Sequence, residues 1–222
     1  MAIDIETKDC TALSDTELAE MADLCATGSS GFGIGMLSKQ SEAWVLCTLA
    51  RQNDKLKAFS FSTLERIGGT PSVIIGLASV QRNAKRDTVL RAVMTEHFRR
   101  AVLAFPDEDV FVGARLSNPA GFEAFRALTD IVPRPDHDTT GEERAWGRRL
   151  AKRYGITNGS YDDRSFRITG DDSPTCVFDH ESAKPDNTSP EVVAMFEPLD
   201  LARGDAIIAF GWAMAEDLAR LA

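Results

Sequence analysis

The rhythm of apolar and polar residues changes several times along this chain, and each change marks an element. Ser14-Asp15-Thr16-Glu17 has the pattern of a capping box, in which Ser and Glu satisfy each other's backbone N–H groups. Leu18, Met21, Ala22 and Cys25 follow at helical spacing and Gly28 ends the run, which predicts a helix over 15–26. The next stretch, GSSGFGIGMLSKQSE, is glycine-rich. It reads as a loop, either a mobile substrate-side loop or a plain connection. Apolar runs at 44–50, 56–67 and 72–80 are separated by the polar turns 51–55 and 68–71, so they read as strands of an antiparallel meander. The third run is apolar on both faces and should be central in the sheet.

A polar loop, Gln81 to Asp87, leads into an amphipathic segment from Thr88 to Ala104 with Val89, Val93, Phe98, Ala101 and Val102 on one stripe. Glu96, Arg91, Arg99 and Arg100 fall off that stripe and should be solvated. His97 lies on a flank with no evident partner. Asp109 to Leu116 is a fourth strand, and Ser117-Asn118-Pro119 opens a further helix, with Pro suited to a first turn. Val132 to Pro135 reads as a rigid linker. Thr140-Gly141-Glu142-Glu143 is a second capping box and starts a helix that Gly155 stops. Trp146, Leu150 and Tyr154 lie on one side of it. Arg144, Arg148, Arg149, Lys152 and Arg153 cover the others, either as an ordinary solvated face or as a docking surface for an acidic partner. Short strands are expected at 165–169 and 175–178, and a loop at 179–190. Asp205 can cap a helix from Ala206 to Leu221 that is apolar almost all round. Such a helix belongs in this core or against a second copy, which allows a homodimer.

Composition narrows the class without naming a function. The 222 residues suffice for one large domain or a domain with an extension. A net charge of -9 argues against a general nucleic-acid binder. The acidic start MAIDIETKD is not a signal peptide, and no apolar run is long enough to cross a bilayer. Cys10, Cys25, Cys47 and Cys176 show no close pairing and read as reduced, mostly buried thiols of a cytoplasmic protein. His97, His137 and His180 lie at no metal-ligand spacing, so no metal is expected.

This order of elements resembles the GNAT (N-acyltransferase) superfamily over residues 10–130. Two partial motifs carry the resemblance beyond topology. In the first, the family's phosphate loop aligns on Arg82, which puts Lys85 and Asp87 where the family has small residues. In the second, Asn118-Pro119-Ala120-Gly121-Phe122-Glu123-Ala124-Phe125 resembles the segment that follows the next strand, with Phe125 where many members have a proton-donating Tyr. The resemblance implies a mixed, mainly antiparallel twisted α/β sheet flanked by helices. A GNAT-like core would span 1–132, and a mostly helical C-terminal extension, 133–222, would pack on it.

It also implies acetyl-CoA or another acyl-CoA as co-substrate. Loop N–H groups at a helix N-terminus would hold the pyrophosphate, and the pantetheine arm would enter a groove where the strands flanking the loop splay apart. Ser79, Val80, Arg82, Lys85, Arg86, Thr88 and Asn118 are the residues carried over to that site, with an exposed strand edge near Ser79 for the pantetheine amides. The reaction implied is attack of an amine, on a small molecule or a protein, at the thioester. No catalytic residue is assigned. Phe125 has no proton to give, and Glu65, on the second strand of the meander, is either a base or an ordinary exposed carboxylate. The alternative is a catalytically silent GNAT-like module that binds a protein partner or another anionic ligand.

Overall fold

Charge hides the first strand of the sheet. β1 (Asp4–Asp9) pairs antiparallel with β2 (Leu46–Gln52), and its apolar residues are too few and too interleaved with charge to stand out as a run. Between them lie α1 (Asp15–Cys25) and α2 (Ile34–Ala43). The α1 capping box is formed as expected: the Glu17 N–H donates to Ser14 Oγ, and the Glu17 carboxylate accepts from the Ser14 N–H. α2 corrects the expected loop at 28–42. Its N-cap is Gly33, which offers no side-chain acceptor, and Gly35 dilutes its first turn, so the usual start signals are missing. Fully buried Leu37 anchors it.

The structure, a computed structural model, describes residues 2–28, 31–81, 86–173, 175, 177–180 and 188–221, with backbone only at Arg86 and Asp87. The meander is present: β2 pairs with β3 (Lys55–Ile67), and β3 with β4 (Thr70–Val80). Asn53 and Asp54 take positive φ (52° and 60°) in the first turn, and Gly68 and Gly69 (60° and 91°) do so in the second. These are the values that two-residue hairpin turns require. β4 is buried along nearly its whole length, as a central strand should be.

α3 (Arg86–Ala104) lies across β2, β3 and β4. Two of its polar residues depart from expectation. Glu96 is buried, where its carboxylate accepts from Arg99, Arg100 and Thr7. His97 is also buried and shares a 3.0 Å hydrogen bond with Ser60 Oγ, and burial pushes its imidazole down to about 4. β5 (Val110–Leu116) follows, then a 3₁₀ segment at Pro119–Phe125 in place of a full helix.

The region after residue 126 holds the main surprises. Thr129–Val132 is a strand, β6, that ends where the expected linker 132–135 begins. α4 (Gly141–Arg153) is capped by Thr140 and Glu143 and ends at Gly155 with φ 74°, as read from the sequence. β7 (Tyr161–Asp162), β8 (Arg167–Ile168), β9 (Phe178–Asp179) and α5 (Pro190–Phe196) come next. Residues 206–213, expected as helix, form strand β10, followed by α6 (Ala215–Leu218). A helix that is apolar all round and a strand buried on both faces give the same pattern, and only the β-branched and aromatic content of AIIAFGWA separates them. Asp205 caps no helix. It is buried and accepts from the Gly170 N–H, the Asp200 N–H and Arg203, which together hold its carboxyl well below the usual range. The apolar face that suggested a second copy is covered by the chain's own sheet.

The strand order among the described residues is β1-β2-β3-β4-β9-β5-β10-β8-β7, with β6 also on β10. Pairings are antiparallel except among β4, β9 and β5. The result is a mixed, mainly antiparallel sheet flanked by helices, the α/β class that the sequence implies. β10 pairs with both β5 and β6, so the segments before and after residue 132 share one sheet. β5 alternates cleanly: Phe111 stacks on Trp146 at 4.5 Å, Gly113 meets Leu150, and Arg115 lies over the Tyr154 ring. α4 therefore covers one face, while Leu116 packs against Gly121 of the 3₁₀ segment on the other. Cys10, Cys25 and Cys47 are buried free thiols, and burial pushes Cys10 and Cys25 up to about 12. Cys176 lies outside the described residues. No helix among the described residues is long and apolar enough to cross a membrane.

Candidate functional site

β4 and β5 run side by side for a short distance and then part. They pair in parallel at Ser72↔Phe111, Val73↔Val112 and Ile74↔Gly113. Immediately beyond, the β3–β4 register slips, since Ser62 faces Ile75 while Ser60 faces Ala78. β4 thus carries an extra residue at Gly76-Leu77. A bulge of this kind sharpens the local twist and turns the strand aside. Glycine is required there because a Cβ on residue 76 would stand 2.1 Å from the Trp44 indole. β4 and β5 therefore splay apart beyond Ile74 and Gly113, with a definite local cause.

The gap is filled by the chain itself. β9 enters between the diverging strands and pairs in parallel with both, at Ala78↔Phe178, Ser79↔Asp179 and Leu116↔Phe178. The Ala78 N–H donates to the Val177 carbonyl at 3.2 Å. Val177, Phe178, Asp179 and His180 are all buried. His180 is fixed further by a 2.7 Å hydrogen bond between its Nε2 and the Glu123 carboxylate, on the 3₁₀ segment. Asp179 packs beside Gly28 so closely that a Cβ there would lie 2.5 Å from its Oδ2. The gap is thus a slot one strand wide, lined by backbone amide groups that pair with an extended chain.

At the point of divergence stands a residue from outside the region of resemblance. The Tyr154 hydroxyl, one residue beyond α4, lies 2.9 Å from the Ile75 carbonyl and 3.2 Å from that of Gly113. These are the carbonyls at which the β4–β5 ladder stops. Burial raises the phenol well above its usual range, so it is protonated at neutral pH. The Arg115 guanidinium sits 4.3 Å from its ring centre. No short motif announces this placement, because it depends on the whole of α4 docking on β5 and β10.

The residues expected to bind a co-substrate fall into three groups. Ser79 and Val80 are buried on β4, so the edge expected to be exposed there is instead covered, by β9 on one side and β3 on the other. Ser79 Oγ has the Cys25 thiol of α1 beside it and makes no other hydrogen bond among the described residues. Asn118, two residues past Leu116, holds a buried Oδ1 without a partner among them. These two oxygens belong to the residues at the two walls of the slot. Arg86 begins α3 and Thr88 is exposed in its first turn. Arg82 and Lys85 lie outside the described residues.

Neither Phe125 nor Glu65 stands free in the structure. Phe125 is fully buried beside Phe122. Glu65 accepts from Arg153 Nε at 2.5 Å, and Arg153 also covers the Trp44 ring. The arginines of α4 are similarly engaged: Arg144 and Arg148 hold Asp163, and Arg149 lies over Trp146. These are contacts of the kind an ordinary solvated face makes.

No family model matches the chain, and no curated protein matches it. Among solved structures it is similar to an IAA acetyltransferase from Bacillus cereus ATCC 14579, at 11% identity over 95% of this chain and 99% of that one, with a TM-score of 0.43. It is also similar to an acyl-CoA N-acyltransferase from Pseudomonas aeruginosa (17% identity, 60% and 93% coverage, TM-score 0.41). Escherichia coli ElaA gives 17% identity, 63% and 95% coverage, and a TM-score of 0.39. These overlaps are loose, and the fold described above rests on strand order and on the divergence of β4 from β5.

Proposed function

We propose that this protein is an N-acyltransferase that uses acyl-CoA to modify an amine on a small molecule or protein in the cytoplasm. The observation that carries this reading is the slot between β4 and β5, with the Ser79 hydroxyl and the unpartnered Asn118 Oδ1 at its two walls. A pantetheine arm is an extended chain with two amides. The backbone groups that pair with β9 suit such a chain, and a buried hydroxyl and an unpartnered buried amide oxygen suit further amide or hydroxyl groups. Bound there, acyl-CoA supplies a thioester carbonyl for attack by an amine.

The chain's own residues then have limited roles. Backbone groups of β4 orient the arm. The start of α3 presents N–H groups and partial positive charge toward an anion. Phe125 offers no proton, so the leaving thiolate takes one from water or from another hydroxyl, and water accepts the amine proton. Titration with acetyl-CoA tests the reading by calorimetry and thermal shift. A hundredfold excess over the dissociation constant should stabilise the protein by about 2.7 kcal/mol. Asn118→Ala should weaken binding about tenfold. Absence of binding by any acyl-CoA, with no effect of Arg82→Ala or Lys85→Ala, would overturn it.

A second reading is favoured by specific observations. Phe125 is buried, Glu65 is held by Arg153, and β9 completes the sheet. A catalytically silent GNAT-like module would look like this. Thiol release from acyl-CoA in the presence of amines separates the two, since the silent module gives none.

A further inference from the structure

We propose that residues 177–180 are an internal plug that competes with acyl-CoA for the β4–β5 slot, so that co-substrate binding requires this segment to leave. The inference rests on the reading given under Proposed function and adds its regulation. β9 uses the same wall that the pantetheine arm would use: Ala78 and Ser79 on β4, and Leu116 on β5. Two extended chains cannot pair with one strand edge at one place, so occupancy by one excludes the other.

The plug differs from an ordinary sheet strand in how it is held. Only Phe178 and Asp179 are in strand register, against the long ladders of β3 and β4. Side-chain packing of Val177 and Phe178 and the His180–Glu123 hydrogen bond add to this hold. It also leaves Asn118 Oδ1 unsatisfied among the described residues and Ser79 Oγ with only the Cys25 thiol beside it, so it fits the slot in its backbone but not in these polar groups. A ligand that satisfies those oxygens gains what the plug forgoes.

This arrangement has a measurable signature. When only a fraction of molecules has the slot open, the apparent dissociation constant is the intrinsic one divided by that fraction. Loosening the plug should therefore tighten co-substrate binding while it weakens the fold. Glu123→Ala leaves His180 buried without its carboxylate partner only in the plugged state, and should raise the apparent affinity for acetyl-CoA about tenfold. In the unmodified protein, saturating acetyl-CoA should speed hydrogen exchange at residues 177–180. A purely structural β9 predicts the opposite pair of results: affinity unchanged or lowered in Glu123→Ala, and protection at 177–180 kept while acetyl-CoA is bound. That outcome overturns the plug and leaves the acyltransferase reading standing. Failure of acetyl-CoA to bind either protein overturns both.

Discussion

β4 is bordered differently along its two edges. On the β3 side a hairpin closes through Gly68 and Gly69, and the ladder runs from Ile67↔Thr70 to Ala58↔Val80 with a single bulge. On the β5 side direct pairing stops at Ile74↔Gly113, and a distant segment of the chain takes over. The first edge is fixed by a short turn and needs nothing else. The second is completed by whatever extended chain fits the slot. Local turn chemistry therefore makes one edge permanent, while its absence leaves the other exchangeable.

The largest effect expected is from Phe178→Ala, which should cost about 3–5 kcal/mol in urea denaturation, as for any buried Phe. Phe61→Ala on the hairpin side should cost a similar amount. Only the change at Phe178 should raise hydrogen exchange at the Ala78 N–H, which bonds to the Val177 carbonyl, out of proportion to the amides of the β3–β4 ladder. Equal effects at that amide would erase the contrast between the edges.

A pH titration examines the hairpin side, where His97 meets Ser60. Its imidazole is lowered by burial from 6.5 to about 4 in the folded state, so the unfolded chain takes up its proton first as the pH falls. This contribution to stability is complete above about 6.5 and is lost as the pH drops through about 4. The loss amounts to at most about 3 kcal/mol. His97→Gln should flatten that part of the stability profile, and an unchanged slope would mean that other groups carry it.

Smaller effects are expected at the two turning points. Tyr154→Phe removes the hydroxyl from the Ile75 and Gly113 carbonyls at the apex of the slot, and should cost about 1–2 kcal/mol by denaturation. Asp54→Gly, in the β2–β3 turn with φ 60°, should stabilise by about 0.5 kcal/mol, because glycine takes that conformation without steric cost. A destabilised Asp54→Gly would show that the Asp side chain, rather than the backbone, holds this turn.

What could be read in the sequence follows the same division. Capping boxes at Ser14 and Thr140, glycines after helices, and polar turns between apolar runs act over a few residues, and the elements they mark are present. Charge masks the apolar spacing of β1 and glycine that of α2, so neither stands out in the sequence. β10 resembles a helix in sequence because a doubly buried strand loses the alternation that identifies strands. The site was less legible than the fold. Ser79 and Asn118 were picked out through family resemblance. The segment that lies between them, and the tyrosine at the apex, come from beyond residue 132 and could be placed only by tertiary docking.

The distance along the chain between the slot and its occupant also bears on how the protein is made. Ala78 and Phe178 are 100 residues apart (178 minus 78). During synthesis, at about 5–20 residues per second, β4 emerges several seconds before β9. β5 and the β3–β4 hairpin are already available by then, while the slot between them has no strand to fill it. Closing a contact of such long sequence separation is slow compared with closing a hairpin. A nascent chain therefore passes through a period in which its cleft is open to small molecules in its surroundings, and a ligand captured then would be in place before the competing strand exists.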